Sequence, residues 1–279
     1  MKYKWILFIA ALFAPILSMA QIMGGGKNVK ELDTWGAFPE GSWKIVKEEQ
    51  SFGVKKQSST SKYFKAEGGK VDVFDKSENG FELKRNQTHF LSGFDPRNSK
   101  DFGKPVVEKV KLTVDGKNYD CDLETYTFLK KVTETESKKT VIKYWRCKDV
   151  LLPYRTVGKK GPDLALGQHV LKAYFKNDFP KLKEEATVEV VKINDKQKVG
   201  DQVISCCVEN ISQVMEHTRS RRGVTVRMKA AGKLVQITSR DVPGHLVKLE
   251  GGGTLTENGK ESQVSILKEV TEFKVIKSR

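Results

Sequence analysis

Hydrophobic side chains at every second position restrict this chain more than any other feature of it. Val110, Leu112 and Val114 alternate with Lys109, Lys111 and Thr113, and Tyr119, Cys121 and Leu123 alternate with Asp120, Asp122 and Glu124. The runs from Val141 to Trp145, Val188 to Ile193, Val224 to Met228 and Val264 to Leu267 continue in the same style. Successive side chains of a strand point to opposite faces, so a period of two gives one buried and one wet face, the pattern of antiparallel sheet. Turn signals separate the runs: Glu67-Gly68-Gly69, Asn79-Gly80, Asp115-Gly116, Gly200-Asp201, Gly223, Gly232 and Asn258-Gly259. Only Asp178 to Glu185 and Asn28 to Leu32 carry a brief helical pattern. The spacing predicts a mainly β protein: a curved antiparallel sheet or half-barrel with one or two short helices.

A weak internal repeat refines this expectation. Val107 to Leu112 matches Val188 to Ile193, Val114 to Cys121 matches Val199 to Cys206, and Cys147 to Tyr154 matches Ser239 to Leu246. The offset grows from 81 to 85 to 92, which places the insertions between strands, where loops tolerate them. Two related modules follow, residues 35–175 and 176–279.

The N-terminus reads as an address. Lys2 and Lys4 precede the apolar run Trp5 to Leu17, and Ser18-Met19-Ala20 supplies small residues at −3 and −1. This is the pattern of a cleavable signal peptide over residues 1–20, and the run is short for a bilayer span. The expectation is export to a periplasmic or extracellular location, with no transmembrane segment in the mature chain. Residues 21–34, which include Met23-Gly24-Gly25-Gly26-Lys27, read as a flexible leader, with folding starting near Trp35 or Trp43. Fifty Lys and Arg against 35 Asp and Glu give +15, and removing Lys2 and Lys4 leaves +13.

The phrase Gln236-Ile237-Thr238-Ser239-Arg240-Asp241-Val242-Pro243-Gly244-His245-Leu246-Val247-Lys248 resembles a recurring turn of uncharacterised exported bacterial β-rich proteins of planctomycete type. In looser form it is similar to the lipoprotein-carrier half-barrels of the periplasm. The resemblance covers Val188 to Arg279, and Val107 to Val157 less closely. It implies a curved antiparallel sheet able to hold an apolar ligand, and no catalytic residue transfers with it. The motif is structural: Pro and Gly turn the chain and Val re-enters the sheet.

The chemistry-bearing residues are sparse. Cys121 and Cys147 fall on neighbouring strands, and export allows them to oxidise; the bridge would contribute about 3–4 kcal/mol. Cys206 and Cys207 alternate to opposite faces, so they read as free thiols. Arg219, Arg221, Arg222, Arg227 and Lys229 form the densest basic cluster, a ligand-binding candidate for anionic lipid or acidic glycan. Trp43, Phe64, Phe74, Phe81, Trp145 and Tyr174 read as ordinary core. Glu40, Asp149, Asp241 and Glu250 show no spacing that pairs an acid with a base, and the four histidines are dispersed. No phosphate-loop, dinucleotide or nucleophile-elbow motif occurs. The reading is a non-enzymatic envelope protein without cofactor or metal. Its partner would be a lipid, an anionic polymer or an envelope protein. Nucleic acid is not among the partners, because aromatics do not interleave with the basic cluster. The alternative is a secreted hydrolase acting on an anionic or carbohydrate substrate.

Overall fold

The computed structural model describes residues 29–33, 35, 36, 38–87, 90–94, 102–131, 133, 136–152, 169–221 and 224–276. Its strands are β1 (Val29–Asp33), β2 (Trp43–Phe52), β3 (Lys55–Lys65), β4 (Val71–Ser77), β5 (Gly80–Gln87), β6 (Phe90–Phe94), β7 (Val106–Val114) and β8 (Lys117–Lys131). They continue as β9 (Ser137–Arg146), β10 (Val170–Phe179), β11 (Leu182–Val199), β12 (Gln202–Arg221), β13 (Val224–Thr238), β14 (Leu246–Glu257) and β15 (Lys260–Lys274). Thirteen of them form one open antiparallel sheet in the order β5-β4-β3-β2-β15-β14-β13-β12-β11-β10-β9-β8-β7, and β1 pairs with β6 separately. From β7 to β15 the sheet is a plain meander, and β2 adds the N-terminal strands against β15.

The helical expectation fails at both places. Asp178 to Glu185 is the turn of the β10–β11 hairpin, where Phe179 pairs with Leu182. Pro180 explains this: it fixes φ for the turn and offers no N–H for a helix. Val29 to Leu32 lies in β1, so the folded part begins before Trp35, while Asn28 lies outside the described residues. Among the described residues the one helical element is a 3₁₀ turn at Glu67–Gly69. Residue 176, where the second module was expected to start, lies inside β10, which pairs with both β9 and β11.

Cross-strand register defines an inner and an outer face. Tyr126, Ile142, Phe175 and Ala186 are consecutive neighbours across β8 to β11, and all four are buried. Ile211, Leu234 and Ile266 continue the inner apolar surface across β12, β13 and β15. Further along the strands, bulges at Val190–Asp195, Ile237–Thr238 and Val270–Glu272 interrupt the ladder. Such bulges bend and twist a sheet locally. There β11 approaches both β15 and β7, strands that are not its neighbours. One coil encloses Val199, Ile204, Cys206, Val242 and Val247, and the other encloses Val114, Cys121, Cys147, Val150 and Leu171. The Gln202 side-chain amide helps to close the first coil by donating to the Phe273 carbonyl at 3.4 Å.

Cys121 and Cys147 form a disulfide, with a Cα separation of 4.2 Å. Cys206 and Cys207 are buried and form no disulfide, and they enter different coils: Cys206 packs with Val199 and Ile204, and Cys207 with the disulfide. Strand alternation separates these adjacent thiols, as the sequence indicated.

Candidate functional site

The outer face carries a trough of about 400 Å³ across β11 to β14. Its floor includes Thr187, Ser212, Lys233 and Gly252, which are consecutive register partners, and Ala231 and Thr254 of the next row. Small side chains make the hollow, and a run of three glycines, Gly251 to Gly253, brings the backbones of β13, β14 and β15 close together. At one side stands Glu185, whose carboxylate is held 3.7 Å from Lys176. Burial, then the Glu185 carboxylate, raises the Tyr174 phenol above its ordinary range.

The basic cluster expected from the sequence is distributed along the β12–β13 hairpin. Lys229 lies opposite Glu216 and pairs with it at 2.9 Å, and Arg227 lies opposite Thr218. The backbone of Arg219 pairs with Val226 and that of Arg221 with Val224. Arg219 and Arg221 thus occupy the alternate set of positions to Thr218 and Glu216. Arg222 lies outside the described residues. The six aromatics expected in the core are not in the buried set; Phe81 is 38% exposed, and Trp145 and Tyr174 lie on the outer face. Cations cover some of them: Lys62 sits 4.6 Å from the Trp43 ring centroid and Lys172 5.5 Å from that of Trp145.

Besides Glu209, which accepts from Gln236 at 3.0 Å, two larger polar groupings lie inside among the described residues. Thr140 donates to Asn177 at 2.7 Å, and Asn177 and Gln213 donate to Glu184 at 3.5 and 3.3 Å. Burial raises the Glu184 carboxyl despite those hydrogen bonds. The chain bridges its inner face with a satisfied polar row, which is the condition for burying such groups. The second grouping was not legible in the sequence: Lys44, Lys65 and His245 are all buried around Trp35 and Phe38. Lys65 donates to the carbonyls of Trp35 and Phe38, which satisfies it. Among the described residues Lys44 donates to the Leu246 carbonyl at 3.5 Å, and burial lowers its amine to about 7. Burial also lowers His245, with Nδ1 placed 3.2 Å from the Ser239 carbonyl.

The Ser239–His245 phrase forms the wall of this second grouping. Asp241 N–H donates to Ser239 Oγ, His245 N–H donates to the Val242 carbonyl, and Val242 is fully buried. Gly244 has φ +73, and a Cβ there would stand 2.7 Å from Trp35 Nε1, so the position needs glycine twice over. The carboxylates singled out earlier do not converge. Glu250 pairs with Lys248, Asp241 with Arg240, and Glu40 accepts from Gly68 N–H. Among the described residues no three His, Cys, Asp or Glu side chains group as metal ligands, and no helix is long and apolar enough to cross a membrane.

These features define an open antiparallel β-sheet protein with an apolar inner face and a polar, troughed outer face. Compared with known proteins, the chain matches no protein-family model, no curated protein and no solved structure. In this fold the 236–248 phrase turns the chain beside Trp35.

Proposed function

We propose that this is an exported, non-enzymatic protein of the cell envelope that binds an extended anionic polymer on the outer face of its sheet. The observation that carries the reading is the trough, open to solvent, in which Thr187, Ser212, Thr254 and Lys233 stand among the small side chains of Ala186, Ala231 and three glycines. Without the first twenty residues the chain keeps a formal charge of +13 (+15 less Lys2 and Lys4), which attracts polyanions before contact and raises the rate of encounter. The same reading has the signal segment removed after Ala20. The test is a titration of the chain starting at Gln21 with polygalacturonate, neutral dextran and phosphatidylglycerol vesicles. Binding to the polyuronate that weakens with salt, without binding to dextran, is expected. Binding to vesicles alone would replace the polymer by a lipid, and binding to none of them would overturn the reading.

We also infer that β7–β10 and β11–β14 are copies of one unit, within the single sheet. What supports it is matching detail. Cys147 N–H donates to the His169 carbonyl just before β10, and Ser239 N–H donates to the His245 carbonyl just before β14, both at 2.8 Å. Ser239, which donates to the Ser205 carbonyl at 2.7 Å, stands one register step from the Cys207–Thr238 pair, beside Cys206, where Cys147 bonds Cys121 in the other coil. Ser239→Cys should then form a second disulfide with Cys206 and stabilise the protein by about 3–4 kcal/mol. Peptide mapping without reductant checks this. Free alkylation of Cys206 in the oxidised variant would count against the duplication.

A further inference from the structure

One line of the outer face has a composition unlike its neighbours. Following register across eleven strands from β3 to β7, the partners are Lys56, Ser51, Ser265, Gly252, Lys233, Ser212, Thr187, Tyr174, Lys143, Thr125 and Val106. Six are hydroxyl residues, three are lysines and none is acidic. The two flanking lines do contain carboxylates. Most are neutralised by lysines of their own: Glu49 by Lys47, Glu250 by Lys248, Glu189 by Lys172 and Glu185 by Lys176. Glu108 at the β7 edge is the exception. Lys56, Lys143 and Lys233 form no ion pair within 4 Å among the described residues, although Lys56 lies near enough to Glu49 to help lower its carboxyl, and Lys56 and Lys233 are exposed.

Resting on the polymer-binding reading, we infer that this line is the binding track, that the polymer is an acidic polysaccharide, and that it lies across the strands. Spacing supplies the first argument. The three lysines stand four strands apart, about 19 Å at the usual strand separation, and the whole line is about 48 Å long. At physiological salt charges act over only about 8 Å, so a small anion meets one lysine at a time. An extended chain meets all three. The hydroxyls supply the second argument. Ser and Thr both donate and accept, which suits the hydroxyls of sugar rings, while lysine supplies point charges for carboxylates. The line offers one aromatic, Tyr174, and its phenol is turned to Glu185, so it gives bases little to stack on. The trough lies at the middle of the line, where Thr187, Ser212, Lys233 and Gly252 leave room for the chain to sink.

The experiment compares the wild type, a Lys56→Gln/Lys143→Gln/Lys233→Gln variant and an Arg219→Ser/Arg221→Ser/Arg222→Ser variant. Each is titrated with polygalacturonate, monomeric galacturonate and single-stranded DNA. Exposed charge contacts are individually weak, so the lysine triple should lose about tenfold in polyuronate affinity, with its melting temperature unchanged. The loss should shrink as salt rises, and the monomer should bind none of the proteins measurably. Equal polyuronate binding by the wild type and the lysine triple overturns the track. So does a loss confined to the arginine triple, an outcome that leaves polymer binding intact and moves it to the hairpin. Preference for DNA over polyuronate overturns the polysaccharide assignment. Failure of the wild type to bind any polyanion refutes the underlying reading instead.

Discussion

Gly253→Ala is expected to destabilise the protein by at least about 3 kcal/mol, a large share of the 5–15 kcal/mol that holds an ordinary domain folded. A Cβ at this position would stand 2.0 Å from the Ala231 carbonyl oxygen and 2.6 Å from the Gly232 Cα. Those are backbone atoms of a central strand, and they cannot swing aside as a side chain would. Glycine inside a strand normally weakens it, so three in succession in β14 indicate that close approach, and not chance, holds them there. Gly103 is the control: it lies outside the strands and has no atom near its missing Cβ, so Gly103→Ala should stay within about 0.5 kcal/mol of wild type. Urea midpoints for the two variants decide the matter. A Gly253→Ala protein as stable as the wild type would mean that β13 and β14 can part without loss, and that the trough is not set by their contact.

The same region shows what the sequence could and could not reveal. Alternation made the strands of the meander legible, because a half-buried strand writes its two faces into successive residues. It also separated Cys206 from Cys207 and brought Cys121 to Cys147. The line of residues inferred to be the track was not legible, because they come from eleven separate strands and meet only through register. Pro180 carried a turn signal that the surrounding charged residues obscured. In β2 the alternation misleads. Trp43 and Ile45 have the composition of a buried face, yet Lys44 and Val46 are the buried pair. The 236–248 phrase and Trp35 close over that end of the strand, and no local pattern announces a contact between segments two hundred residues apart.

Lys44→Met should raise stability near neutral pH, with the gain fading as the pH is raised. In the folded protein burial lowers the Lys44 amine from its ordinary 10.5 to about 7. Between those values the unfolded chain holds a proton that the folded one lacks, so stability rises with pH across the window. Below about 7 both states are charged and the full penalty for burying the ammonium is present; above about 10.5 it is gone. Among the described residues no carboxylate pairs with it. The neighbours are the Trp35 ring, 5.6 Å away, the Leu246 carbonyl and His245, which Lys44 itself helps to hold neutral. Lys65, close by, is already committed to the carbonyls of Trp35 and Phe38. Methionine keeps most of the apolar stem that packs there and removes the charge. The stability difference between the variant and the wild type should be larger at pH 6.5 than at pH 9.5 by about 3 kcal/mol, at up to 1.4 kcal/mol for each pH unit. Taking the difference cancels the other lysines and tyrosines, which titrate alike in both proteins. A difference that is the same at both pH values would show that Lys44 stays protonated in the folded state. A methionine variant less stable than the wild type at pH 6.5 would show that the ammonium makes contacts worth more than its desolvation costs.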